Sequence, residues 1–360
     1  MENMVINPSF WRGKKVFLTG NTGFKGSWLS LWLTQMGAEV FGYALPPNSR
    51  PNLFDVASIS NVMSTTYADV SNYEAVFSAL RASRASIVIH MAAQPLVRKS
   101  YESPVYTFTT NVMGSVHVLD AVTRCPSVKV VLNVTTDKCY ENHESLWGYR
   151  ETDRLGGYDP YSCSKACSEL ISDAYRSSFL SKAEHPVHLA TARAGNVIGG
   201  GDWSSERLLS DLAFACMGRQ AIRIRRPKAI RPWQHVLDAL SGYLILCEQL
   251  YNGGSKFAEA WNFGPLDREV ITVEAVVDKF FKYWGDAMDS DIHFEDSGPH
   301  ETEFLSLDTS KAHKRLGWRP KLNIDEAIEL TVDWIRRFKD GESPMEVTLD
   351  QIDRYQRLTS

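Results

Sequence analysis

The sequence predicts an α/β chain, built as a doubly wound parallel sheet with a smaller C-terminal α/β domain, on three observations. Short apolar runs recur through the first half, at Val16-Phe17-Leu18, Val40-Phe41, Ile87-Val88-Ile89 and Val130-Val131-Leu132. Each is followed by a turn or a helix signal, the pattern of strands buried on both faces. Stretches of helical period alternate with them, and a glycine-bearing turn follows the first run and opens a helix.

The predicted helices run from Ser27 to Met36, from Tyr73 to Ser83 and from Pro104 to Val122, the last opened by Ser103 as cap and by Pro104 at its first position. Ala68-Asp69-Val70 is read as the end of the third strand. After about Ala194 the alternation loosens: Gly199-Gly200-Gly201 and the stretch from Arg223 to Pro232 read as irregular, and later helices, Val273 to Trp284 and Ile324 to Phe338, stand between polar loops. Residues 1–194 are expected to form a dinucleotide-binding domain and residues 195–360 mainly a substrate domain, with 233–263 returning to the first.

At 360 residues with 44% hydrophobic and 23% charged residues, the chain has the composition of an ordinary globular protein, long enough for two domains. A formal net charge of -4 gives no general attraction to polyanions, which argues against extended nucleic-acid binding. One basic run, Arg223-Ile224-Arg225-Arg226 with Lys228 and Arg231, is suited to a small anion. No run reaches the roughly 18 apolar residues of a membrane span, and Met1 to Gly13 lacks the form of a signal peptide, so a cytoplasmic location is expected. The six cysteines show no metal-type spacing and read as reduced thiols; no metal site is expected.

Thr19-Gly20-Asn21-Thr22-Gly23-Phe24-Lys25-Gly26 lies between the first strand and a helix, where glycines at 20, 23 and 26 permit a tight turn and close approach of backbone to a pyrophosphate. That context makes the sheet Rossmann-type. The second strand ends in Gly42-Tyr43-Ala44-Leu45-Pro46, without the acidic residue that often grips the ribose of NAD, so these residues alone leave NAD and NADP both open. Farther on, Asp159-Pro160-Tyr161-Ser162-Cys163-Ser164-Lys165 places Tyr161 and Lys165 four apart on a helix opened by Pro160. A phenol that titrates near 10 must be lowered by about three pH units to serve as a base at neutrality, and a nearby ammonium is suited to that. The strand from Val130 ends in Thr135-Thr136-Asp137-Lys138, at the carboxyl edge where such sheets bind ligands.

These motifs, together with His90 to Arg98, Asn111-Val112-Met113-Gly114, Arg193 to Trp203, Ile230 to Val236 and Trp261 to Pro265, resemble the extended short-chain dehydrogenase/reductases, in their sugar-nucleotide dehydratase branch, over nearly the whole chain. The resemblance implies a retained NAD and a CDP-glucose substrate, converted to a 4-keto-6-deoxy hexose still attached to CDP, in deoxysugar biosynthesis of the O-antigen type. It implies cofactor contacts at Gly20, Thr22, Gly23, Phe24, Lys25 and Gly26, at Asp69 and Val70, and at Ala92, Ala93, Gln94 and Asn111, with Tyr161 and Lys165 beside the nicotinamide. Tyr161, lowered by Lys165, is implied to take the O4 proton, Thr136 to align that hydroxyl, Asp137 to protonate the departing 6-hydroxyl and Lys138 to act at C5. In related dehydratases a glutamate follows the aspartate, so Lys138 departs from the pattern. Substrate contacts are implied at Asn196, Arg207, Arg231, Asn262 and His300. A 4-epimerase would share Tyr161 and Lys165 but has no use for an acid at C6, so Asp137 argues against it. The helices from Pro104 to Val122 and Pro160 to Phe179 resemble a dimer-forming pair, which implies a homodimer or homotetramer.

Overall fold

The computed structural model describes residues 4–204, 206–218, 222–266, 271–285, 292–295 and 304–358. Six strands, β1 Lys15–Thr19, β2 Glu39–Ala44, β3 Ser64–Tyr67, β4 Ile87–His90, β5 Val130–Val134 and β6 His188–Ala194, form one sheet with a seventh, Ala260–Phe263. All neighbours pair in parallel, in the order β3-β2-β1-β4-β5-β6 and then Ala260–Phe263. The chain builds outward from β1 through β2 to β3, then crosses back to β4. The order therefore reverses between β1 and β4, and ligands of such sheets lie at the carboxyl ends of that switch point.

The buried strands are those that the sequence marks by continuous apolar runs. Every residue of β4 and β5 is buried, whereas β3, at the edge, is largely exposed. That edge is where prediction and structure part: β3 ends at Tyr67, and Ala68 to Asn72 form a turn in which Asp69 Oδ1 accepts from the Ser71 N–H at 2.8 Å and Asn72 caps the helix Tyr73–Ser83. The predicted helix from Pro104 is three segments, Pro104–Phe108, a π-helical turn Thr109–Met113 and Gly114–Thr123, and Ser103 makes no side-chain cap bond. Gly114 is required there, since a Cβ would lie 2.7 Å from Val70 Cγ1.

Past β6 the chain leaves the sheet and forms short ladders. Val197–Ile198 pairs with Gln234–His235, Ile230–Arg231 with Ile271–Thr272, and Ile222–Arg225 with Ile292–Glu295. The helix Val236–Gly253 then carries the chain back to the seventh strand. Helix Ile324–Lys339 opens with a capping box, Asn323 and Glu326, and closes on basic residues, so both ends suit its dipole. Trp334 of that helix packs over Gly200, where any Cβ would overlap the indole, and stacks with Phe338 against Trp203. Trp203 is thereby a packing residue.

The last helix, Pro344–Arg357, packs on Phe24–Gln35: Tyr355 meets Trp32 edge to face and donates to buried Asp238 Oδ1 at 2.8 Å. The two halves are thus bound together around the glycine-turn helix. Among the described residues no helix is long and apolar enough to cross a membrane. All six cysteines are free thiols.

Candidate active site

The glycine turn at the end of β1 is built on close approach. Gly20 has φ of +75°, a conformation that glycine adopts without strain, and a Cβ there would lie 2.7 Å from the Ala92 nitrogen. A Cβ on Gly26 would overlap the Gly20 carbonyl oxygen. Gly23 caps the helix Phe24–Gln35, with no side chain bonded to its first turn and no acidic residue within it. The unpaired N–H groups and positive end of that helix are therefore left for an anionic ligand. Thr22 donates to the Leu45 carbonyl at 2.9 Å. Thr19 Oγ1 accepts from the N–H groups of Met91 and Ala92, both at 3.1 Å, and lies 2.7 Å from His90 Nδ1, which fastens β1 to β4 at the switch point. Burial, with Lys165 nearby, pushes His90 down to about 3, so it stays neutral.

Two residues expected at the cofactor have side chains bonded within the protein. Asn111 Oδ1 accepts from the Gln94 N–H at 2.8 Å, and its Nδ2 donates to the Gln94 carbonyl and to Ser164 Oγ. Gln94 Nε2 in turn donates to the Leu96 carbonyl and Thr107 Oγ1, while its Oε1 accepts from the Leu96 N–H. Both side chains are consumed in fixing the loop after β4 against the neighbouring helices. Ala93 lines the cleft; Asp69 and Val70 lie off it, in the turn after β3.

Helix Pro160–Tyr175 begins with Pro160 in its first turn and with Asp159 Oδ1 accepting from the Ser162 N–H at 2.9 Å. Tyr161 and Lys165 lie on its buried face. Lys165 Nζ donates to the Val134 carbonyl at 3.1 Å, and Tyr161 is hydrogen-bonded to Thr136. Thr136 also donates to Asp137 Oδ1 at 2.9 Å and caps the short turn Asp137–Cys139. The electrostatics differ from expectation for the phenol. Burial pushes Tyr161 up to about 12, against the opposing pull of the Thr136 bond and the Arg207 charge, and burial lowers Lys165 to about 8. The protein's own charges do not bring this phenol toward neutrality, because removal from water costs a phenolate more than they return.

Asp137 is 2% exposed, its Oδ2 has no hydrogen-bond partner, and burial raises its carboxyl above the usual range despite Lys138 and Arg231 nearby. Burial thereby favours the protonated form, which is the form a proton donor needs. Gly195 makes the room, since a Cβ there would overlap Asp137 Oδ2.

These groups face a cleft of about 340 Å³, within the range of small-molecule sites. Asn196, Arg207 and Arg231 line it, with the basic strand Ile222–Arg225 and Arg226 on the same wall. Arg207 Nε lies 3.6 Å from Asp202. Asn262 does not reach it: it is fully buried, its Nδ2 donates to the carbonyls of Tyr149 and Asp308, and its Oδ1 accepts from Tyr140. Its amide instead ties the loops at Tyr149 and Asp308 to the seventh strand. His300 lies outside the described residues. The lysine whose ordinary value moves to neutrality is Lys25, which reaches the cleft from the glycine turn and falls to about 7 through burial and the charges of Lys165 and Arg207. Its place beside Gly23 and Gly26 marks a backbone phosphate site, and no sequence signal showed that its amine shares the cleft with Thr136 and Asp137.

The sheet, the glycine turn and the Tyr161–Lys165 helix define a Rossmann-type member of the extended short-chain dehydrogenase/reductases. The family model described as GDP-mannose 4,6 dehydratase matches residues 17–331, and the chain belongs to that family. It is 47% identical to the CDP-glucose 4,6-dehydratase of Salmonella typhimurium, over 99% of this chain and 100% of that protein, and 24% identical to a dTDP-glucose 4,6-dehydratase of Xanthomonas campestris, over 88% and 92%. Among solved structures it is similar to a dTDP-glucose 4,6-dehydratase from Streptomyces venezuelae with NAD bound (TM-score 0.78, 21% identity, 92% of this chain and 99% of that one). The UDP-glucose 4-epimerase of Thermus thermophilus in complex with NAD is also similar (TM-score 0.77, 25% identity, 89% and 98%).

The dependence of Asp137 on its neighbour is open to test. Gly195→Ala is expected to drive the carboxyl outward and return its titration toward the ordinary aspartate range, read by carbon-13 NMR of labelled aspartate. A titration that stays elevated would contradict this.

Proposed function

We propose that the chain is an NAD-dependent hydro-lyase that converts CDP-D-glucose to CDP-4-dehydro-6-deoxy-D-glucose and water. The observation that carries this reading is Asp137, a carboxyl whose burial favours its protonated form, one residue from the hydroxyl that bonds to Tyr161. Oxidation alone needs Tyr161 and Lys165; an adjacent acid is what water elimination adds. The 47% identity over the full length supports the cytidine nucleotide.

The turn at Gly20, Gly23 and Gly26 fits a dinucleotide diphosphate, because Gly20 and Gly26 let the backbone close tightly on Ala92 and on the Gly20 carbonyl, and Gly23 leaves the helix N-terminus uncapped by any side chain. The first-turn residues Phe24 and Lys25 and the buried Tyr161 and Lys165 complete the set that would hold NAD. When bound, NAD supplies the acceptor for the C4 hydride and its later donor to C6, and its oxidised ring adds the positive charge that Tyr161 lacks. Tyr161 accepts the O4 proton, with Thr136 holding that hydroxyl in line. A carbonyl at C4 acidifies the C5 hydrogen, which is removed as a proton, and Asp137 protonates O6 so that it leaves as water. Lys138, next to Asp137, is placed to accept the C5 proton; Lys25, near neutrality in the same cleft, is the second candidate. Arg207, Arg231 and Asn196 are assigned to the nucleotide diphosphate and sugar, since arginine forks match phosphate oxygens.

Residues 1–194 with 233–263 are assigned to the cofactor domain and the remainder of 195–360 to the substrate domain. A homodimer or dimer of dimers is proposed on the apolar side chains left exposed on two helical runs, Val105, Tyr106 and Met113 on one and Leu170 and Phe179 on the other.

Purified protein given CDP-glucose is expected to yield the alkali-induced ultraviolet absorbance of a 4-keto-6-deoxy sugar, and to yield far less with UDP- or dTDP-glucose. Absence of signal, or equal signal from all three, would sink the assignment. In deuterium oxide, Lys138→Met is expected to suppress solvent exchange at C5. Parental exchange in Lys138→Met with loss in Lys25→Met would move the role to Lys25.

A further inference from the structure

Beyond Tyr161 and Lys165, the same helix face carries a third side chain that no step above uses. Glu169 lies one turn past Lys165, is 3% exposed at its side chain, and is ion-paired to the equally buried Arg193 of β6 at 2.8 Å. Its Oε1 accepts from Thr135 Oγ1 and its Oε2 from Thr191 Oγ1 at 2.7 Å. The helix therefore meets the end of β5 at three successive residues: Lys165 at Val134, Glu169 at Thr135 and Tyr161 at Thr136. Arg193 Nη1 continues the chain of contacts to the Tyr140 hydroxyl at 2.8 Å, immediately after the Asp137–Cys139 turn.

We propose that Glu169 is a positioning residue for the reaction: its bonds to Thr135, Thr191 and Arg193 set the catalytic helix against the catalytic strand end, and its carboxylate is a buried negative charge one helical turn from Lys165. This rests on the reading of Tyr161 and Lys165 as the oxidising pair.

The groups around Lys165 leave that charge to Glu169. Cys139, from the catalytic turn, is a thiol that burial pushes far up and so keeps neutral; His90, from β4, is pushed down to about 3 and is neutral; and Lys25, from the glycine-turn helix, opposes Lys165 whenever it carries its proton. Burial opposes the charge of Glu169 itself, but Arg193 and the two threonine bonds outweigh it and hold the carboxyl below its ordinary range. Burial lowers Lys165, and Glu169 is the largest influence that raises it. The sign follows: without Glu169 the amine loses its proton at lower pH.

The test is Glu169→Gln, read by NMR titration of lysine labelled at Cε and by the pH profile of kcat with CDP-glucose. The Lys165 titration is expected to fall by about one pH unit or more, the alkaline limb of kcat to move down with it, and KM to stay within about twofold. A buried arginine left without its partner destabilises, so the double variant Glu169→Gln/Arg193→Met is the control, because removing both charges is often tolerated. The double variant is expected to keep the lowered Lys165 titration, and Glu169→Asp, which retains the charge, to restore it. A parental Lys165 titration in both neutralised variants would overturn the proposal. The NMR titration needs no turnover, so a chain inert on CDP-glucose would overturn the function reading while leaving this test intact.

Discussion

The seating of one helix on one strand end governs the rest of the site. β5 lies within a fully parallel sheet, buried along its whole length, and its last residue presents a carbonyl to Lys165. A carbonyl at the end of a buried strand needs a donor, since an unpaired one in a dry setting costs roughly 1–3 kcal/mol. The lysine that satisfies it is held in turn by a helix that Asp159 and Pro160 start at a defined residue. Moving that start by one residue rotates the helix by about 100° and removes Tyr161 from Thr136.

From that seating the two sides of the cleft follow. On the sheet side, the reversal between β1 and β4 leaves a crevice, and Thr19 draws the two strand ends together so that the glycine turn and the loop after β4 form its floor. On the other side, short ladders and the basic strand Ile222–Arg225 form a wall in which arginines stand beside Ile222, Ile224 and Trp233. Enclosure between them has opposite effects on neighbouring groups. It favours the protonated form of Asp137, as an acid requires, and it keeps the proton on Tyr161 as well, which is the wrong state for a base. Burial thus prepares the second chemical step and obstructs the first, so the first must draw on positive charge brought in with the cofactor.

The sheet was legible because its central strands are apolar throughout, and Val130-Val131-Leu132 has no competing reading at that length. The edge strand was less so. Ser64–Tyr67 is polar and exposed, so nothing in its pattern marks where it stops, and Asp69 read as strand when it belongs to a turn. The glycine turn and Tyr161–Lys165 were legible because steric need and helix spacing leave few alternatives. The internal bonds of Asn262 and Gln94 were not legible, because a polar residue in a motif looks the same in sequence whether its amide faces a ligand or satisfies buried carbonyls. Lys25 was underrated because its neighbours explain it as backbone, and only the fold shows where its amine goes.

The central claim is that the cleft both removes and returns one hydride within a turnover, with elimination between. The most direct measurement uses CDP-glucose carrying deuterium at C4, with product isolated and its C6 methyl group analysed by mass spectrometry and NMR. The account predicts that the C4 deuterium appears at C6. A C6 methyl without that deuterium, or a product that keeps all of its oxygen, would contradict it.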